Sequence, residues 1–178
     1  GVQTCALPIL VNCFLSGRRK SISKYENQTE ELQSKVLQKL IHQAIHTEWG
    51  QTHGFAQVND YNSFTKTSPI STYEELKGYI DRMRRGEKDV LWSGKVRWYA
   101  KSSGTTNDKS KFIPVSKECL QDTHYRGGTD AVALYLGQNP RSRMFDGKAL
   151  ILGGSHSPNY NLPHSLVGDL SAILIENV

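Results

Sequence analysis

Apolar residues recur at helical spacing through the first half of the chain and at strand spacing in its middle. Leu32, Val36, Leu37, Leu40, Ile41, Ala44 and Ile45 fall on one face at three- and four-residue intervals, which predicts a helix from about Thr29 to Trp49. Asn27 with Glu30 gives it a capping-box-like start, and Gly50 a stop. A shorter amphipathic helix is expected from Asn12 to about Tyr25. Residues 54–69 read as loop with a turn of helix after Asp60. Ser71 and Thr72, with Glu74 and Glu75 three residues on, open a helix that buries Leu76, Ile80 and Met83 and ends at about Arg85, before Gly86. Val96, Trp98 and Ala100 then alternate as a strand does, and Phe112, Ile113 and Val115 mark a second strand.

Beyond that, Ser116 opens a helix reaching about Leu136 and softened near Gly127-Gly128. Residues 138–146 are loop. The apolar run Ala149 to Leu152 reads as a buried strand. Residues 153–164, rich in Gly, Ser, Asn, Pro and His, form a long loop of the kind that carries ligands at a strand end. Asp169 caps a last helix from Leu170 to about Glu176. Helices alternating with short strands make the fold class α/β.

Composition narrows the field. The chain has 178 residues, 37% of them hydrophobic and 22% charged, which suits a globular domain with its own core. No apolar run approaches the length of a membrane span. The net charge of +5 favours anionic partners without separating nucleotide from nucleic acid. The short basic runs Arg18-Arg19-Lys20 and Arg82 to Arg85 read as solvated helix surface. Three cysteines, Cys5, Cys13 and Cys119, are far apart and include no C-x-x-C, so they support neither a zinc site nor a disulfide framework, and reduced thiols in a cytoplasmic protein are expected. His42 and His46, four apart, read as a helix flank, and His156 and His164 as surface loop residues, although the latter pair could face a pocket. Gly1 to Ile9 resembles the translation of a sequencing adapter and is set aside, leaving residues 10–178 for fold reasoning.

The chemistry concentrates between the two central strands. Ser102, Ser103, Thr105 and Thr106 surround Gly104, and Lys109 and Lys111 follow. A glycine lets backbone approach an anion, successive turn amides form an anion-binding concavity, and hydroxyls and lysine add donors and charge. Hydrogen bonds to charged groups contribute roughly 1.5–3 kcal/mol each, so three give a gross of about 4.5–9 kcal/mol, the range of a millimolar to micromolar nucleotide site. The same residues also fill ordinary solvated turns. The Walker pattern does not decide between the two, because it needs a glycine directly before the lysine and Asp108 precedes Lys109.

Ser102-Ser103-Gly104-Thr105-Thr106-x-x-x-x-Lys111 resembles the first nucleotide motif of adenylate-forming enzymes, and in particular that of the auxin-responsive-promoter (Gretchen Hagen) family of acyl-acid amido synthetases. Further landmarks fit in order: Thr47-Glu48-Trp49-Gly50, Pro69 to Leu76, Gly86-Glu87 before Val90-Leu91-Trp92, Gly147-Lys148, Gly153-Gly154 and Gly168-Asp169-Leu170-Ser171. The resemblance runs from about Asn12 to Val178. It implies the N-terminal portion of the large ATP-binding and acyl-binding domain, a ligase that adenylates a carboxylic acid and passes the acyl group to an amino acid, and the use of ATP with Mg2+.

Carried over by residue, Ser102, Ser103, Gly104, Thr105 and Thr106, with Lys109 less firmly, hold the triphosphate, and Lys111 is the catalytic lysine. Asn107 stands where a glycine is common, though asparagine tolerates left-handed backbone. Gly127-Gly128 either permits close approach on the acyl side or marks a loose helix. The expected partners are small carboxylic acids and amino acids, not nucleic acid or membrane. The later motifs of such enzymes do not occur before Val178, so the chain as given reads as a fragment expected not to turn over. The competing reading is a non-catalytic polyanion or nucleic-acid module, for which aromatic-basic interleaving is confined to Arg97-Trp98-Tyr99.

Overall fold

A computed structural model describes residues 6–102 and 110–178. The chain divides into two compact units. The first comprises the chain through Leu32 together with Glu118–Leu152. Its long helix α1 (Ala6–Asn27) includes Ala6 to Ile9, residues the sequence reading set aside, and runs through Asn27, which therefore ends one helix rather than capping the next. α2 (Thr29–Ala44) begins after Gln28. Leu15 is buried against Ala133 and Leu136 of α6 (Arg126–Gln138). Above that seam the Arg18 guanidinium forks onto both carboxylate oxygens of Asp130, Nη2 to Oδ2 at 2.7 Å. Of the run Arg18-Arg19-Lys20, then, at least Arg18 is a half-buried tie and not free surface.

The helix expected after Ser116 is irregular, but upstream of the expected place. Residues Cys119–Tyr125 form a π-helix, and α6 then takes up regular geometry directly through Gly127 and Gly128. An added Cβ at either glycine would meet nothing, so neither marks a break or a close approach among the described residues. The expected strand Ala149–Leu152 is also corrected. These residues belong to no strand, and Leu150, Ile151 and Leu152 are 86%, 73% and 85% exposed. An apolar run becomes a strand only when a neighbouring strand takes up its backbone groups.

The second unit comprises Gln33–Lys117 and Gly153–Val178. It holds a three-stranded sheet in the order β2-β1-β3. β1 (Trp98–Ser102) and β2 (Lys111–Val115) are antiparallel, and β3 (Leu166–Gly168) runs parallel to β1. The sequence reading had no β3, because three residues are too few to show a period. α5 (Tyr73–Arg84) covers the sheet. Its Ile80 and Met83 are buried with Val90, Val96, Tyr99 of β1 and Val167 of β3. It starts as expected: the Thr72 hydroxyl accepts from Glu75 N–H and the Glu75 carboxylate accepts from Thr72 N–H at 2.6 Å. These bonds hold the Glu75 carboxyl below its ordinary range. The turn after Asp60 is a full short helix, α4 (Tyr61–Thr67), closed by a capping box between Asp60 and Ser63.

The helix expected from Thr29 to Trp49 is broken. α2 stops at Ala44 and α3 (Glu48–Thr52) starts afresh. Buried Thr47 makes the break: its hydroxyl donates to Ala44 C=O at 2.7 Å and accepts from Gly50 N–H at 3.0 Å. Gly50 is therefore not a stop signal but a point where backbone passes backbone. The segment is pinned from outside as well, since Glu48 N–H and Trp49 N–H donate to Asp89 and Val90 C=O. Two of the sequence landmarks, Thr47-Glu48-Trp49-Gly50 and Gly86 to Trp92, thus meet in space.

Arg82 strengthens that meeting. Its guanidinium donates to Glu48 Oε1 at 2.9 Å and to Glu87 Oε2 at 2.8 Å. Both carboxyls are held below their ordinary range, chiefly by hydrogen bonds from Arg82, and Arg82 is raised in turn. A folded-state pKa that is depressed stabilises above the unfolded value and loses that stabilisation as pH falls through the folded value. Acid titration of thermal stability is therefore expected to fall below about pH 4.5, and Arg82→Met is expected to flatten that fall. An unchanged acid limb in the variant would show that these pairs are screened to nothing.

Candidate functional site at the root of the central hairpin

The first strand is shifted from the expected Val96–Ala100 to Trp98–Ser102, so that Ser102 ends β1 and Lys111 begins β2, directly opposite each other in register. Ser102 is half-buried and Lys111 exposed. The expected triphosphate residues Ser103, Gly104, Thr105, Thr106 and Lys109 lie outside the described residues.

Around this root stands a set of aromatic rings and cations. The Lys111 ammonium lies 5.5 Å from the centroid of the Tyr73 ring, and the Tyr73 hydroxyl accepts the Phe112 amide at 2.9 Å. Arg84 lies over the Phe112 ring at 3.8 Å, and its Nη2 donates to Tyr160 C=O at 2.6 Å. Lys101, opposite Phe112 in register, lies 4.3 Å from the Tyr160 ring centroid. Phe112 and Tyr160 are themselves 5.7 Å apart. Each cation lies within the distance at which ring quadrupoles attract positive charge.

Arg84 corrects the reading of Arg82 to Arg85 as solvated surface: it is 8% exposed, and its Nε has no hydrogen-bond partner among the described residues. Helical spacing could have found it, since Arg84 follows buried Ile80 by four residues on the same face. Nearby, Tyr99 is fully buried, its hydroxyl has no hydrogen-bond partner among the described residues, and burial pushes its pKa up to about 12 despite the charge of Arg84. It remains a neutral phenol across the physiological range.

Both histidines of the long loop after residue 152 are exposed. The exposed His156 ring rests 5.6 Å from Trp98, and His164 lies against Gly86, whose φ is +95°. What the loop does is join two more landmarks. Gly154 N–H donates to Ser171 Oγ at 2.7 Å, and Ser155 N–H to Asp169 Oδ2 at 2.9 Å. Asp169 does stand at the N-cap position of α7 (Leu170–Glu176), but its carboxylate serves Ser155 and not the helix. A side chain at Gly154 would strike Asp169. Among the described residues no cluster of His, Cys, Asp and Glu offers a metal site, and no helix is long and apolar enough to cross a membrane.

The chain and its fold have known counterparts. The chain is 32% identical over 110 residues to "Jasmonoyl--L-amino acid synthetase JAR6" of Nicotiana attenuata, covering 60% of this chain and 19% of that protein. It is 32% identical over 93 residues to "Indole-3-acetic acid-amido synthetase GH3.15" of Arabidopsis thaliana, covering 52% of this chain and 16% of that protein. The structure superposes on "AtGH3.15 acyl acid amido synthetase in complex with 2,4-DB" with a TM-score of 0.79 at 22% identity, over 92% of this chain and 28% of that one. The α/β fold is thus shared with acyl acid amido synthetases, and the chain spans under a third of the length of the relatives it matches. The model of the GH3 family N-terminal domain matches residues 18–173, and the chain therefore belongs to the GH3 family.

Proposed function

We propose that this chain supplies the ATP-binding hairpin of an acid–amino acid ligase. The carboxylate of an acyl acid attacks the α-phosphorus of ATP, the bond to the bridging oxygen breaks, and pyrophosphate leaves. The amine of an amino acid then attacks the acyl-adenylate carbonyl, forming the C–N bond and releasing AMP. The observation that carries the reading is the opposition of Ser102 and Lys111 at one hairpin root, the first and last members of the motif the family resemblance assigns to triphosphate. In that role Lys111 offsets the negative charge that develops on the leaving pyrophosphate, which is where a preorganised cation contributes most. By sequence, Ser103, Gly104, Thr105 and Thr106, with Lys109 beside them, provide the remaining donors.

Magnesium bound to ATP would neutralise further phosphate charge and is held largely by phosphate oxygens and water. Among the described residues no group of three or more His, Cys, Asp and Glu could hold a metal ion. The relatives' names give the acid classes to try: jasmonate, indole-3-acetate, 4-substituted benzoates and 2,4-DB.

The test is pyrophosphate exchange into ATP by the protein that contains this chain, with each acid supplied in turn. Exchange that depends on an added carboxylate is the expected result. Exchange absent with every acid, together with polyanion binding that weakens steeply with salt, would point to the binding-module reading instead.

A further inference from the structure

We propose that α5 is the element that positions Lys111, acting through Phe112; the inference rests on the reading of Lys111 given above. Among the described residues β2 is an edge strand, in the order β2-β1-β3, and half of its backbone groups face no strand there. Lys111 is its first residue, the end at which a ladder constrains the chain least. Lysine adds four flexible carbons to that uncertainty.

Two residues of α5 remove it. Tyr73, the first residue of the helix, takes the Phe112 amide on its hydroxyl at 2.9 Å and sets its ring 5.5 Å from the Lys111 ammonium. Arg84, the last residue, lies on the Phe112 ring at 3.8 Å and is tied to Tyr160 C=O at 2.6 Å. Eleven residues make about three turns, so the two side chains leave the same face of the helix. Phe112 is therefore held at its amide by one end of α5 and at its ring by the other. α5 is in turn seated on the core by Ile80 and Met83. Neither Tyr73 nor Arg84 is assigned contact with ATP; both act through their neighbour in the strand.

The test is a double-mutant cycle read by ATP binding in equilibrium dialysis, on the protein that contains this chain. Tyr73→Phe keeps the ring and removes only the acceptor of the Phe112 amide. Arg84→Met keeps the bulk and removes the charge. Each is expected to raise the ATP dissociation constant about threefold to tenfold in the parent, and to change it less than about twofold in a Lys111→Ala background. Equal effects in both backgrounds would mean a merely structural role and would overturn the positioning. No effect in the parent would overturn it too. If Lys111→Ala alone leaves ATP binding unchanged, the reading of Lys111 as the phosphate lysine fails first, and the positioning with it. Thermal unfolding of each variant separates lost fold from lost position, and should Arg84→Met not fold, Tyr73→Phe alone decides.

Discussion

Replacing Lys111 with alanine is expected to lower carboxylate-dependent ATP–pyrophosphate exchange by about tenfold to a hundredfold. The figure follows from one hydrogen bond to a charged group, roughly 1.5–3 kcal/mol, at about 1.4 kcal/mol per factor of ten. The side chain is exposed and lies beside the Tyr73 ring, so alanine here opens no cavity in the core and leaves no buried partner stranded. Stability should therefore stay within about 0.5 kcal/mol of the parent, which makes the loss a loss of chemistry. Lys111→Arg keeps the charge but replaces a compact ammonium by a planar fork, and should fall between the two. Lys117→Ala, exposed beyond the other end of β2, should leave exchange unchanged. Exchange in Lys111→Ala equal to the parent would remove this lysine from the mechanism.

The second large effect is on stability. Gly50→Ala is expected to destabilise the unit that contains it by about 3 kcal/mol. A Cβ there would stand 2.1 Å from Ala44 O and 2.9 Å from its carbonyl carbon. Those are backbone atoms, and they are fixed: Ala44 C=O accepts from both the amide and the hydroxyl of Thr47, while Glu48 and Trp49 are bonded to Asp89 and Val90. Nothing can move aside without breaking one of these bonds. Gly78→Ala is the control. It lies within α5 with open space where the Cβ would go, and alanine there should gain about 0.5–1 kcal/mol. The three tryptophans, Trp49, Trp92 and Trp98, share the unit with both glycines, so urea unfolding followed by fluorescence reads the right transition. Equal midpoints for Gly50→Ala and the parent would contradict the close approach.

Both predictions depend on features of different visibility. Lys111 is proposed from the sequence, where a Ser, Thr, Gly and Lys cluster is a local pattern that the family resemblance singles out. The starts of α5 and α4 were legible there too: capping boxes at Thr72–Glu75 and Asp60–Ser63 are bonds between residues three apart. The hairpin register, with Ser102 across from Lys111, came only from the structure, because alternation within each strand leaves their relative shift open. Gly50 was visible as a glycine and misread, since a helix stop and a backbone crossing look alike until the second backbone is in place.

The residues of this chain thus dictated, by short-range spacing and bonding, where most helices begin and that two strands flank the Ser, Thr and Gly cluster. They did not dictate that Arg84 would be buried on Phe112, that three residues near Gly168 would pair with β1, that Asp169 would serve Ser155, or that Ala149 to Leu152 would stay outside the sheet. Each of those outcomes requires a partner distant in sequence. Burial and strand pairing are properties of two segments at once, so they were settled only when the chain closed on itself.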